Sequence, residues 1–513
     1  VTADAPTRPE RVPLRVTGLP RSTTTQFVLL VVSILAAGLF VGTAVHNSVA
    51  GAAWDAAYAR CAAASTAQQG GPEQQWAVLL ACVQPAEAVR VTYALGAAVL
   101  VAIGAIAVVI ATPPLLIRRR KLRPLADRHA DALTRMTALA WQARLRRAPE
   151  FLRGPSTLRE PFCFGRPGRY RIVVPTKLLS RSEEPDVESM IRHELAHIAH
   201  GDVVLSWLAR GAWYALAPAL LLPIVAAAVV GEVDALPSYL WRAVVVGAVV
   251  VLVQRRLLRA REHDADLAAA WAGGTGALLG VLSRVPRTRR GMLQRLAGHH
   301  PDPVLRIAVL DRPEKAVETS FADGVVTAFL AALLLPVVNG LLVTIVLGDV
   351  GLTAWVPVIS AALIGVLLGG TIGIAVWRQA LVARAAGTAL HTGPLGAGVL
   401  LGAIMGQVVS FAGIGLDGVA GYRDPWTVLV LAVLLASATA LVAALGSIGA
   451  DSAARFGPRA FWLVATASQR SCSASRRGWR GSCRPRSTSV GASSGCSWSS
   501  TRWRPRPSRR PAC

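Results

Sequence analysis

Charge is what this chain has least of. Only 16% of its 513 residues are Asp, Glu, Lys or Arg, while 53% are hydrophobic and the mean hydropathy is +0.47. That shortage excludes an ordinary soluble domain and leaves an integral membrane protein. Lysine is almost missing, occurring only at Lys121, Lys177 and Lys315. With abundant alanine, the bias toward arginine suggests a GC-rich coding sequence and a bacterial source. Acidic residues are scarce too, 29 against 54 Lys and Arg, for a formal charge of +25. Such an excess would ordinarily point to nucleic acid, but most arginines flank apolar segments, where they orient a membrane protein. No nucleic-acid partner is expected.

The stretch from Ala467 to Cys513 has no acidic residue, eleven arginines and four of the seven cysteines. It also lacks apolar periodicity and is not expected to fold. It reads either as a disordered basic tail that binds anionic lipid or nucleic acid, or as an out-of-frame translation of a GC-rich gene, the reading its abrupt composition favours. Val1 reads as a literally translated alternative start codon.

What is present in quantity is apolar sequence. Crossing a bilayer takes about 20 apolar residues, and eight segments qualify: Phe27 to His46, Val91 to Ile110, Gly211 to Gly231, Tyr239 to Val253, Val325 to Gly348, Ala354 to Trp377, Leu395 to Gly415 and Trp426 to Leu445. The fourth is short and carries Arg242, so a core or interfacial helix is the alternative there. The last four contain almost no intramembrane charge, which argues against a transport pathway. Arg8, Arg11, Arg15 and Arg21 precede the first span and Arg118 to Arg123 follow the second, so both flanks are expected in the cytoplasm. The loop between them, Asn47 to Arg90, is then outside. Its Cys61 and Cys82 could pair in an oxidising exterior or remain two free thiols. The third and fourth spans form a hairpin that returns the chain to the cytoplasm.

The polar exception is "MIRHELAHIAHGD", Met190 to Asp202. Helical positions four apart share a face, so His193 and His197 can present imidazole nitrogens to one metal ion with Glu194 beside them. H-E-x-x-H is the arrangement that suits a hydrolytic zinc ion, the glutamate taking a proton from water; the alternative is a polar helix end at the membrane surface. A catalytic zinc takes three protein ligands. "REHDAD", Arg261 to Asp266, lies just past the hairpin and offers Glu262, with Asp266 four residues on to hold a ligating histidine from behind; alone, it would read as a solvated charged helix start.

These segments resemble the membrane zinc metalloproteases that include the HtpX-type quality-control proteases and the CAAX prenyl endopeptidases. The resemblance implies one Zn2+ held by His193, His197 and Glu262, Glu194 as the catalytic base, and supporting roles for Asp202 and Asp266. "HHPDPVLRIAVL", His299 to Leu310, is similar to a later stretch of that family and makes His300 and Arg306 candidates for contact with substrate or transition state; a Pro-bounded loop opening a helix is the other reading. Upstream, "EPFCFGRPGRYRIVV" reads as two short strands around a Gly-Pro-Gly turn, followed by a helix capped by Ser182 or its acidic neighbours. This part also resembles, more distantly, the β-lactam-sensing membrane receptors. A strand edge beside the zinc would let an extended substrate add by backbone hydrogen bonds. Cys163 reads as a buried small side chain, since nothing nearby marks an activated thiol.

The expected protein is thus mainly α: a polytopic helical membrane protein with a small α+β zincin-like protease domain at the cytoplasmic face. Its parts are a cytoplasmic amino terminus (1–26), two transmembrane helices with an external loop (27–117), a protease domain that includes a transmembrane hairpin at 211–253 (118–320), a four-helix membrane region (321–450) and the tail (451–513). The expected activity is zinc-dependent endoproteolysis of membrane or misfolded proteins in an inner membrane. The rivals are a ligand-sensing transducer whose protease centre cuts a cytoplasmic repressor, which no recognisable soluble sensor domain supports, and a non-catalytic membrane scaffold.

Overall fold

The computed structural model describes residues 22–68, 71–125, 129–231, 233–234, 236–285, 302–346, 350–410 and 425–456. All lie in one compact unit ending at Arg459. The amino-terminal arginines, His300 and the basic tail lie outside the described residues.

Two long helices, α1 (Ser22–Ala67) and α2 (Pro72–Arg120), open the fold. Each is far longer than a bilayer requires. The stretch expected as an external loop is therefore helical almost throughout, because its alanine-rich sequence favours helix even where it leaves the apolar run. The extended ends are tied together: Cys61 and Cys82 form a disulfide, and Ser65 Oγ donates to the Gln75 carbonyl at 2.7 Å. Just below, Glu87 and Arg90 form a buried ion pair at 2.6 Å, with Arg90 over the Trp54 ring.

A small domain follows α2. Its sheet contains β1 (Arg123–Pro124), β2 (Glu150–Gly154), β3 (Phe162–Arg166) and β4 (Arg169–Pro175) in the order β1-β2-β4-β3. The expected hairpin is present, with Cys163 opposite Ile172 in an antiparallel ladder. Strand β2 adds in parallel to the far side of β4, leaving β3 at the edge. Helices α3 (Ala130–Gln142), α4 (Thr176–Leu179) and α5 (Pro185–His200) complete the domain. Met136 and Ala140 of α3, Ile172 and Val174 of β4, and Ile191 and Leu195 of α5 make its core.

The chain then enters the membrane helices α6 (Val203–Ala219) and α7 (Leu222–Val230), separated near Pro218 and Pro223. It returns along α8 (Leu236–Gly273), a single 38-residue helix. The weak fourth span is the first part of α8, and it looks short in the sequence because the helix runs on into its charged segment. Arg242 lies over the Trp241 ring near the helix start. Next come α9 (Thr275–Ser283), α10 (Pro303–Asp311), α11 (Phe321–Val346), α12 (Val350–Ala386), α13 (Gly393–Val409) and α14 (Pro425–Phe456). Among the described residues seven helices are long and apolar enough to cross a membrane, and Gly393–Val409 is a shorter apolar helix. The chain is a polytopic helical membrane protein with a small domain.

The membrane helices share cores. Leu30 and Phe40 of α1, Leu216 of α6, Val250 of α8 and Phe329 of α11 belong to one buried cluster. Glycines set the closest approach: at Gly398 and Gly402, four apart on α13, a Cβ would collide with the Phe321 and Val325 carbonyl oxygens of α11. Small residues spaced this way let helix backbones touch in a bilayer.

Candidate metal centre

Helix α5 begins at Pro185, with Glu184 at its N-cap and Asp186 and Glu188 in the first turn. Proline at the first position and acids against the helix dipole suit a helix start. Ser182 is not the cap, and the Glu184 carboxylate instead accepts from Arg181 Nε at 2.6 Å. Ile191, Leu195 and Ile198 fix one face of α5 in the domain core. The same rotation turns His193, Glu194 and His197 toward a cavity of about 490 Å³.

The helix ends at Gly201, whose φ of +71° is left-handed. Glycine takes that conformation without the strain a side chain would add. The reversal returns Asp202 onto the helix, its amide donating to the His197 carbonyl at 3.2 Å. The Asp202 carboxylate, 1% exposed, thereby comes within 3.3 Å of His197 Nδ1.

Across the cavity, α8 presents Glu262 and Asp266 to α5 from one face. Glu262 oxygens lie 3.5 Å from the Nε2 atoms of both His193 and His197. The two Nε2 atoms are themselves 3.2 Å apart. Behind His193, Asp266 Oδ1 is 2.9 Å from Nδ1. Arg306 of α10 grips the far side of Asp266 with two hydrogen bonds, Nε at 2.7 Å and a terminal nitrogen at 2.5 Å. All five expected ligand and supporting residues, His193, His197, Glu262, Asp202 and Asp266, therefore converge, and Arg306 reaches Asp266.

This donor set suits a metal ion. His193, His197 and Glu262 each offer one atom within 4.8 Å of the others. Tetrahedral ligands 2.0–2.1 Å from zinc stand about 3.3–3.4 Å apart, and the observed separations of 3.2 to 3.5 Å match. Burial would lower the pKa of His193, but Asp266 and Glu262 outweigh it and hold the pKa up at about 10. Burial likewise works against the charge of Arg306, and Asp266 overrides it, raising the Arg306 pKa.

Edge strand β3 borders the same cavity through Phe162 and Cys163. Burial, reinforced by Glu194, raises the Cys163 pKa well above that of a free thiol, which disfavours the nucleophilic thiolate. Trp207 and Arg210 of α6 and Leu278 and Leu282 of α9 supply other walls. Two arginines near the ligands were not singled out from sequence. Arg261 places Nε 3.2 Å from His197 Nδ1 and a terminal nitrogen 3.2 Å from Glu262. Arg210 lies over the Trp207 ring. Both sit among arginines that read as orienting charge, and only the adjacency of Arg261 to Glu262 could have marked it.

Residues 156–314 match the family model described as Peptidase family M48, and residues 22–216 match that of BlaR1 peptidase M56. The first match spans His193, His197, Glu262 and Arg306; the second reaches back across α1 and α2. No match was found among curated proteins or solved structures. The resemblance to membrane zinc-protease families is borne out, and with the apolar helices it supports a membrane metalloprotease acting on protein or peptide.

Proposed function

We propose that the chain is a zinc-dependent endopeptidase that cuts membrane or misfolded proteins at the cytoplasmic face of a bacterial inner membrane. The observation that carries this reading is the meeting of two imidazole Nε2 atoms and a buried carboxylate at separations of 3.2 to 3.5 Å. His193, His197 and Glu262 would hold the ion. Bound there, zinc would acidify a water molecule and polarise the scissile carbonyl.

The remaining chemistry belongs to the chain. Asp266, facing His193 Nδ1, favours a proton on that nitrogen and leaves its Nε2 lone pair pointing inward; at His197 Nδ1 the Asp202 carboxylate and the Arg261 Nε–H compete. Glu194 accepts a proton from the attacking water and delivers it to the leaving amine. In an antiparallel ladder the residues alternate between facing the partner strand and facing away. Arg166 and Arg169 flank the two-residue turn, so the backbone of Cys163 turns to the open edge of β3. An extended substrate paired there would run past Glu194.

The cytoplasmic assignment rests on α2. Cys82, in its disulfide, and Arg120, at the cavity, lie toward opposite ends of this helix. The rise between them is roughly 55 Å, more than the approximately 30 Å apolar core of a bilayer. A disulfide formed in an oxidising exterior would leave the cavity inside, the side that Arg118, Arg119 and Arg120 also favour.

Purified protein should contain one zinc per chain and cleave casein or itself, and Glu194→Gln should keep the zinc and lose cleavage. A zinc-free wild type, or a fully active Glu194→Gln, would overturn the proposal. The match to the BlaR1 peptidase M56 model favours a second reading, in which an external ligand triggers the same centre to cut a repressor. Cleavage that occurs only with ligand would select it.

A further inference from the structure

On α8, Arg256, Arg259 and His263 follow one another at helical spacings of three and four, so they share a face. That face lies beside the one bearing Glu262 and Asp266 on the same helix, and lines a second cavity of about 220 Å³. Lys315, in the turn Pro313–Ala316, and Arg378 of α12 close it. The walls therefore come from three membrane helices, α8, α11 and α12, at the end of α8 that carries Glu262. Apolar lining is supplied by Ala260, Val317 and Ala375.

Four permanent cations, Arg256, Arg259, Lys315 and Arg378, face two carboxylates, Glu318 and Asp323. Asp323 is committed to an ion pair with Arg256. Arg378 is only 6% exposed, and its Nε has no hydrogen-bond partner. The Nε of Arg256 and Nδ1 of His263 are also buried without partners. A buried guanidinium with an unmet donor bears a desolvation penalty that a bound anion offsets, and the guanidinium fork matches phosphate oxygens.

We propose that this pocket binds the phosphate of an anionic phospholipid, a headgroup whose negative charge no choline cation cancels. A lipid fits better than a free ion because membrane helices contribute walls and alanine and valine are part of the lining. Basic pockets between helices at this membrane level are suited to such headgroups.

The test uses the full chain in detergent, titrated with phosphatidylglycerol, phosphatidylcholine or inorganic phosphate and read by native mass spectrometry and thermal shift. Phosphatidylglycerol should bind at least ten-fold more tightly than phosphatidylcholine. Arg259 and Lys315 are exposed, so the double variant Arg259→Gln, Lys315→Gln should fold normally. It should weaken phosphatidylglycerol by about 5-fold per cation removed, on the order of 30-fold together, with phosphatidylcholine unchanged. Arg378→Gln should weaken it further, and if that variant does not fold the exposed pair still decides. Equal retention of the two lipids, or an unaltered phosphatidylglycerol affinity in the double variant, overturns the proposal. Stabilisation by inorganic phosphate equal to that by phosphatidylglycerol overturns the lipid assignment and leaves a free-phosphate site.

Discussion

Asp266, completely buried, stands between two partners: His193 Nδ1 at 2.9 Å and the fork of Arg306 at 2.5 and 2.7 Å. The carboxylate orients the imidazole, and the guanidinium orients the carboxylate. Arg306 is placed to position that carboxylate, and it also lines the cavity, where its sequence context suggested contact with substrate or transition state. Asp266→Asn should lower zinc affinity by about 10–100-fold, measured by competition with a chromophoric chelator. Arg306→Gln should move affinity in the same direction by less. A variant that loses cleavage but keeps wild-type zinc affinity would place Arg306 in the substrate path instead.

Metal should also lock α5 to α8. Zinc at 100 times its dissociation constant should stabilise the chain by about 2.7 kcal/mol, seen as a rise in Tm. Glu262→Ala should abolish that rise, because α8 then contributes no ligand. A full metal-dependent shift in Glu262→Ala would exclude Glu262 from the coordination set.

Gly201 is a test of the turn that delivers Asp202. At φ +71° a β-branched side chain is strained, so Gly201→Val should cost about 1–3 kcal/mol and weaken zinc binding by displacing Asp202. Gly201→Asn, which tolerates the left-handed region, should be nearly neutral. Equal Tm values for the two variants would show that the turn is unimportant.

Cys163 lies beside Glu194 yet should do no chemistry. Its thiol is buried and its pKa raised, burial being the main cause. Maleimide should leave it unmodified in the folded protein at pH 8, and Cys163→Ala should retain cleavage within a few-fold. Rapid labelling, or a rate loss comparable to that of Glu194→Gln, would give the thiol a role.

The disulfide closes the far ends of α1 and α2. Cys61→Ser with Cys82→Ser should destabilise the hairpin by about 3 kcal/mol, the value for a closed loop of this order. Both thiols should be refractory to alkylation in intact cells until a membrane-impermeant reductant is added. Reactivity without reductant would argue against an oxidising exterior.

Much of the centre was legible because helical periodicity is local. The four-residue spacings of His193 with His197 and of Glu262 with Asp266 fix shared faces wherever the helices lie, and the arginine-flanked hairpin argued that both helices return to one side. Which carboxylate serves which imidazole was not legible, nor that Arg261 and Arg306 enter the network, since those contacts depend on how α5, α8 and α10 pack. In the small domain, the turn between β3 and β4 announces itself through Gly165, Pro167 and Gly168. The two-residue β1 and the parallel addition of β2 leave no such local mark, because their pairing joins distant segments. The polar connection between α1 and α2 misled for the opposite reason: polarity read as loop what alanine keeps helical. His300 lies outside the described residues, so its expected contact is not among those compared.

Helix α8 runs without a break from Leu236 to Gly273, so the segment that spans the bilayer and the segment that carries Glu262 are one rod. A helix answers changes in bilayer thickness by tilting, and tilt cannot stop short of a carboxylate mounted on the same axis. Whatever tilt the bilayer imposes on the spanning half of α8 is therefore shared by Glu262.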